Sequence, residues 1–143
     1  MRFLIIRKAD EETEAGALPT PALFDAMMRY NGEMMDAGIL VSGDGLRPSR
    51  DGARVSFRDG VPTVTDGPFT EAKELIAGFS IIDVPSKEDA IAWIRRWPVE
   101  DANGNARIEI RPLYEPGDFG EEFTAEWLAQ EERLRARAGT PRG

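Results

Sequence analysis

An α+β domain is predicted by three features of this 143-residue sequence. Short segments with strand character alternate with longer segments of helical periodicity. Each main helix opens on a capping signal, Thr20-Pro21 or Ser86-Lys87-Glu88-Asp89. A hairpin signal, Asp59-Gly60, interrupts the order.

Residues 2–8 read as the first strand. Phe3 and Ile5 point one way, Leu4 and Ile6 the other, so both faces are apolar and the strand belongs in the middle of a sheet. An acidic loop is expected from Asp10 to Glu14. Thr20 caps the first helix. Leu23, Phe24, Met27, Met28, Asn31, Met34 and Met35 recur at helical spacing, and Gly38 closes it. The methionines read as a stripe facing the core, or as an adaptable binding surface.

Residues 39–46 form the second strand, and the glycines near its end mark a bulge or a close backbone approach. Strands at 53–58 and 61–65 pair through Asp59-Gly60. Residues 75–84 form another strand. A helix from Ser86 carries Ala90, Ile91, Trp93, Ile94 and Trp97 until Pro98 stops it. In the last strand, 106–114, Ile108 and Ile110 alternate with Arg107, Glu109 and Arg111, the pattern of a half-buried strand. A third helix is expected from about Asp118, with Phe119, Phe123, Trp127 and Leu134 on one stripe and Arg137 to Gly143 frayed. Without the hairpin and the last helix, the order is the split βαβ of a ferredoxin-like domain.

Composition narrows the function. Net charge is −8, which opposes binding to phosphate backbones, so no nucleic-acid partner is expected. The basic clusters Arg95-Arg96 and Arg133 to Arg137 fall near predicted helix C-termini, where cations suit the macrodipole. The chain has no cysteine and no histidine. Thiolate chemistry, disulfides and the usual neutral-pH base are therefore excluded. Acid–base work would fall to Asp, Glu, Lys, Tyr or a bound group. No metal site and no cofactor are expected, because neither an EF-hand spacing nor a Gly-rich nucleotide loop is present. The segment Met1 to Lys8 is too short and charged for a signal peptide, and no apolar run is long enough for a membrane span. A cytoplasmic protein with no membrane partner is expected.

The run Asp66-Gly67-Pro68-Phe69-Thr70-Glu71-Ala72-Lys73-Glu74 carries the strongest functional signal. Asp-Gly-Pro is a turn, with Gly67 able to take positive φ and Pro68 rigid. It presents an aromatic ring and four charges as a fixed rim. With the glycine-rich turn upstream, the candidate ligand-binding residues are Asp44, Arg47, Asp66, Gly67, Pro68, Phe69, Glu71 and Lys73. Their carboxylates would act as acid and base if burial raised one pKa, with Lys73 or Arg47 holding an anion. The bland alternative is a solvated strand connection, in which Asp66 bonds its own backbone and Lys73 pairs with Glu71 or Glu74.

This run, with Ala77-Gly78-Phe79, Glu109-Ile110-Arg111-Pro112 and the upstream Gly43-Asp44-Gly45-Leu46-Arg47-Pro48, resembles the DGPF-domain branch of the YCII-related superfamily. Asp44 stands where that branch usually has glutamate. The resemblance covers residues 1–115 and leaves 116–143 as a helical extension. It implies a dimeric α+β barrel. A catalytic His–Asp pair proposed within the superfamily has no counterpart here, because the chain lacks histidine. The branch is often encoded beside sigma factors, which implies a regulatory protein partner.

Three functions follow as expectations. The first is binding of a small polar metabolite for sensing or regulation. The second is a cofactor-independent isomerase or lyase using carboxylates and Lys73. The third is a structural or partner-binding role linked to sigma-factor regulation.

The two-sided apolar first strand, with only two helices to cover the sheet, predicts a homodimer built on the sheet faces. Sedimentation at micromolar concentration checks this; a clean 15.9 kDa monomer overturns it.

Overall fold

The computed structural model describes residues 1–120 and 124–139. Contacts divide the chain into two units, Met1–Pro112 and Leu113–Gly143.

In the first unit, β1 (Arg2–Lys8), β2 (Leu40–Gly45), β5 (Ile76–Asp83) and β6 (Ile108–Pro112) form an antiparallel sheet in the order β2-β5-β1-β6. β3 (Ala53–Arg58) and β4 (Val61–Asp66) form a separate two-stranded ribbon. Helices α1 (Glu11–Glu14), α2 (Pro21–Asp36) and α3 (Lys87–Ile94) complete this unit. The order is that of a ferredoxin-like α+β domain with an inserted hairpin. β2 and β6 are edges, so the chain closes no barrel by itself.

Sheet register separates the two faces. Phe3 lies opposite Ile82 and Pro112, and Ile5 opposite Ser80 and Ile110. On this face Phe3, Ile5 and Ile82 join Tyr30, Met34, Val84 and Ala90 in one buried cluster. On the other face Leu4 pairs with Ile81, Ile6 with Phe79 and Asp44 with Phe79. β1 is therefore apolar on both sides, as its residue pattern requires.

The caps follow residue chemistry. Thr20 Oγ1 accepts from the Leu23 N–H at 3.1 Å, and Ser86 Oγ accepts from the Asp89 N–H at 3.2 Å. Gly38 ends α2 with φ +73°, just past the cap residue Ala37. Asp59 (φ 49°) and Gly60 (φ 79°) turn the hairpin with both central residues left-handed. Near the end of β2, a Cβ on Gly43 would lie 2.9 Å from that of Ser80, so glycine marks a close strand approach.

The structure corrects five expectations. The acidic segment is a one-turn helix, because Asp10 accepts from the Thr13 N–H while Thr13 Oγ1 accepts from the Asp10 N–H. The methionine stripe divides: Met34 is buried and Met27 packs on the core, but Phe24, Met28 and Met35 are exposed. Spacing alone made the stripe wider than the sheet it covers. α3 ends at Ile94, and tighter i+3 bonds at Arg96 and Trp97 carry Trp97 out of the helix. Gly67 does not take a positive φ. The last helix starts late: α4 (Ala125–Ala138) is capped by Thr124, and Phe119 belongs to a separate turn, Pro116–Phe119, ended by Gly120 at φ +74°. Phe119 and Trp127 therefore share no single helix. Phe123 and residues 140–143 lie outside the described residues. Within the second unit, the rings of Tyr114 and Phe119 are 5.2 Å apart, and Trp127 and Leu134 on α4 are exposed. Among the described residues, no helix is long and apolar enough to cross a membrane.

The least expected core feature is charged. Arg7 follows the inward parity of Phe3 and Ile5 and is buried. Its Nε donates to Asp101 Oδ2 at 3.0 Å and its Nη2 to Asp101 Oδ1 at 2.8 Å, a two-pronged fork. Nη2 also reaches Asp10 at 3.1 Å, Nη1 donates to the Lys8 carbonyl, and Trp97 Nε1 donates to Asp101 at 2.9 Å. Burial opposes ionisation of Asp101, but the Arg7 and Trp97 hydrogen bonds and the Arg7 charge outweigh it, so the carboxyl titrates below its ordinary range. Tyr30 is buried too; burial pushes its phenol up to about 12, and its hydroxyl donates to the Trp93 carbonyl at 2.7 Å.

Asp101→Ala leaves a buried guanidinium without its carboxylate and should cost about 3–5 kcal/mol in denaturant unfolding. In the wild type, a depressed carboxyl pKa contributes stability that is complete above about pH 4 and is lost as pH falls through the folded value. The variant should show a shallower acid limb below about pH 4. Equal acid limbs would assign acid unfolding to other groups.

Candidate ligand-binding site

Three segments meet around Ser49. Its backbone N–H and hydroxyl both donate to the Glu14 carboxylate, at 3.0 Å and 2.6 Å. Its hydroxyl oxygen accepts from the Phe69 N–H at 3.0 Å. The Gly67 N–H donates to the Gly52 carbonyl at 3.0 Å. One serine thus ties the end of α1, the turn at Ser49–Asp51 and the Asp-Gly-Pro turn together. Arg50 adds a bond to the Ala15 carbonyl at 3.2 Å.

This clasp explains the glycine. A Cβ on Gly67 would overlap the Ser49 carbonyl oxygen. Gly67 is therefore required for close approach, with the Gly67–Pro68 peptide bond cis. Phe69 is half-buried, and the Arg54 guanidinium lies 3.8 Å from its ring centroid.

The far end of the turn is tied as well. Lys8 Nζ donates to the Glu74 carbonyl and Arg107 Nη2 to the Lys73 carbonyl, both at 3.3 Å. The short helical turn Ala72–Glu74 runs between these ties and the start of β5.

The expected residues fall as follows. Gly67, Pro68 and Phe69 form the clasped turn; Asp66 ends β4 opposite Ala53 and is exposed. Glu71 and Lys73 are exposed on the next turn. Among the described residues neither Asp66 nor Lys73 forms an ion pair. Asp44 is exposed on the open sheet face, beside Phe79. Arg47 is solvent-exposed and pairs with Asp51 at 3.3 Å. The contact between the upstream and downstream turns runs through Ser49 and Gly52 to Gly67 and Phe69; none of its bonds involves Asp44 or Arg47.

Ser49, Glu14, Lys8, Arg107 and Arg54 were not singled out from the sequence. Glu14 stood in an acidic run that reads as solvated, and Ser49 in a polar connection. The available signal was the parity of β1, which places a cation at its end. A separate groove of about 310 Å³ opens between α3 and β6, lined by Ile91, Ile94, Trp97, Ala106, Ile108 and Ile110 among others.

These features define a class: a ferredoxin-like α+β domain whose inserted hairpin ends in a charged turn clasped by Ser49. Residues 1–114 match the model of the YCII-related domain, and the chain belongs to that family. An uncharacterized protein of Rhizobium meliloti (strain 1021) is 36% identical over 88 residues, covering 59% of this chain and 69% of that protein. Among solved structures, 5-chloro-2-hydroxyhydroquinone dehydrochlorinase from Burkholderia phenoliruptrix AC1100, in complex with 2,5-dihydroxybenzoquinone, aligns over 85% of this chain and 100% of its own, with 16% identity and a TM-score of 0.43.

Gly67→Ala forces the Ser49 carbonyl away and should destabilise the protein by about 2–3 kcal/mol or more. Ser49→Ala removes the hydroxyl bonds to Glu14 and Phe69 at about 1–3 kcal/mol. Thermal melts check both; a Gly67→Ala melt unchanged from wild type overturns the close-approach account.

Proposed function

We propose that this chain is a small-metabolite-binding protein of the DGPF branch, acting in the cytoplasm as a homodimer with a sensing or regulatory role. One observation carries the binding assignment. The backbone of residues 66–74 is held at both ends, by Ser49 and by Lys8 with Arg107, while Asp66, Glu71 and Lys73 remain exposed. A fixed backbone that presents uncommitted charges is preorganised for a polar ligand.

Catalysis is less well supported. Carboxyl groups with displaced pKa values include Asp10 and Asp101, and both are displaced downwards. For each, burial pushes upwards and is outweighed by hydrogen bonds and the Arg7 charge. Such groups stay ionised at neutral pH and are poor proton donors. The sheet face on which Leu4, Phe79 and Ile81 are only partly buried supports the dimer, because a second sheet packed on it would bury these side chains further.

A thermal-shift panel of small polar metabolites tests the assignment. A ligand should raise the melting temperature with concentration, following RT ln(1 + [L]/Kd), without turnover. Lys73→Gln should lose that rise while keeping the unliganded melt within about 1 kcal/mol of wild type. Turnover of any panel compound, abolished in Asp66→Asn, would assign the site to an enzyme instead.

A further inference from the structure

We propose that the ligand of this turn is a small anion with two or more acidic oxygens, a carboxylate or a phosphate, received by Lys8, Arg107 and Lys73. The inference rests on the binding role assigned to residues 66–74 and adds the chemical class of the ligand.

The first observation is a like-charge pair across two strands. The Lys8 N–H donates to the Arg107 carbonyl at 2.9 Å, continuing the β1–β6 ladder, so the two cationic residues stand opposite each other. Like charges in such positions repel. A carboxylate between them would relieve the repulsion, and the chain has acids to supply one. Among the described residues, neither Lys8 nor Arg107 forms an ion pair. The acids nearest in sequence are engaged elsewhere or remain outside ion-pair distance. Glu109 pairs with Arg111 at 3.6 Å, Asp10 and Asp101 bind Arg7, and Glu74 offers Lys8 only its carbonyl.

The second observation is convergence. Lys8 and Arg107 donate to the successive carbonyls of Glu74 and Lys73, which brings both cations to the same short turn that carries the Lys73 ammonium. Each tie uses a single donor. An ammonium has three N–H groups and a guanidinium five, so most of their hydrogen-bonding capacity remains. The ties draw two long side chains towards the turn before a ligand arrives, which lowers the ordering cost of binding. Two cations with open donors drawn to one turn, with a third cation on that turn, suit the oxygens of a compact anion.

The protein as a whole carries −8, so its long-range field repels anions. The turn itself also carries Asp66, Glu71 and Glu74, so recognition depends on the three local cations, and their loss should be felt directly.

The experiment is a thermal-shift titration with sodium phosphate and with sodium succinate, each against sodium chloride at matched pH and ionic strength. One or both should raise the melting temperature beyond chloride, and whichever does so identifies the phosphate or carboxylate source. Lys8→Gln and Arg107→Gln keep a polar side chain but lose the charge; each should weaken the apparent Kd about tenfold or more. Lys73→Gln should weaken it in the same direction. Lys8→Arg retains the charge and should retain binding, which separates charge from fold. Arg111→Gln, a cation outside the cluster, should bind as wild type. A shift no larger than that of chloride overturns the proposal, as does equal weakening by Arg111→Gln. A neutral or cationic metabolite that stabilises the wild type but not Asp66→Asn, with no anion effect, overturns the anion assignment alone. Failure of every compound, anions included, overturns the binding role of the turn with it.

Discussion

The Arg7–Asp101 fork is the contact on which the first unit is organised. Arg7 lies on the central strand and Asp101 in the turn that leads from α3 towards β6. Their pairing therefore fixes the approach of the edge strand to the centre of the sheet. Removing two charges from water is costly, and the attraction between them compensates only when both are well hydrogen-bonded. Here Arg7 has Asp101, Asp10 and the Lys8 carbonyl, while Asp101 also has the Trp97 indole. The anchor also accounts for local backbone strain. Ala102 and Asn103 follow Asp101 with φ 51° and 53°, in the left-handed region that costs side-chain-bearing residues energy. The Asn105 amide donates to both of their carbonyls, at 3.1 Å and 3.0 Å, and holds the turn in that form.

The ferredoxin-like order was legible because it depends on local patterns. Thr20-Pro21, Ser86 and Asp59-Gly60 each act through the nearest backbone groups, and each lies where its chemistry puts it. The parity of β1 was also legible, down to Leu4 and Ile6 facing away from Phe3 and Ile5. What the sequence concealed is tertiary. Periodicity extended α3 to Trp97, but the indole is required by Asp101 and leaves the helix to reach it. Periodicity also joined Phe119 to Trp127, across a left-handed glycine that divides them.

The candidate site divides in the same way. Asp-Gly-Pro declared a turn, and the turn is there, but its glycine answers to a different constraint from the one its residues suggest. Glycine there implies positive φ; in the fold it answers to the Ser49 carbonyl, 18 positions away in sequence. Glu14 was hidden for the same reason. In an acidic run every carboxylate looks solvated, and only the fold reveals which one accepts both the N–H and the hydroxyl of a distant serine.

Core and rim are linked through the end of one strand. β1 closes on two adjacent cations, with a register shift between them. Arg7 turns into the core and is neutralised there by Asp101. Lys8 stays at the margin and reaches the Glu74 carbonyl. A buried guanidinium demands an exact partner, so the position of Arg7 is set by the core, and the position of its neighbour is set with it. Phe69 and Ser49 hold one end of the charged turn while Lys8 and Arg107 hold the other. The geometry of the rim is thus inherited from the central strand, whose own place is fixed by apolar packing on one side and a saturated ion pair at its end. A turn tied at both ends in this way takes its geometry from the sheet and from Ser49, not from its own residues alone.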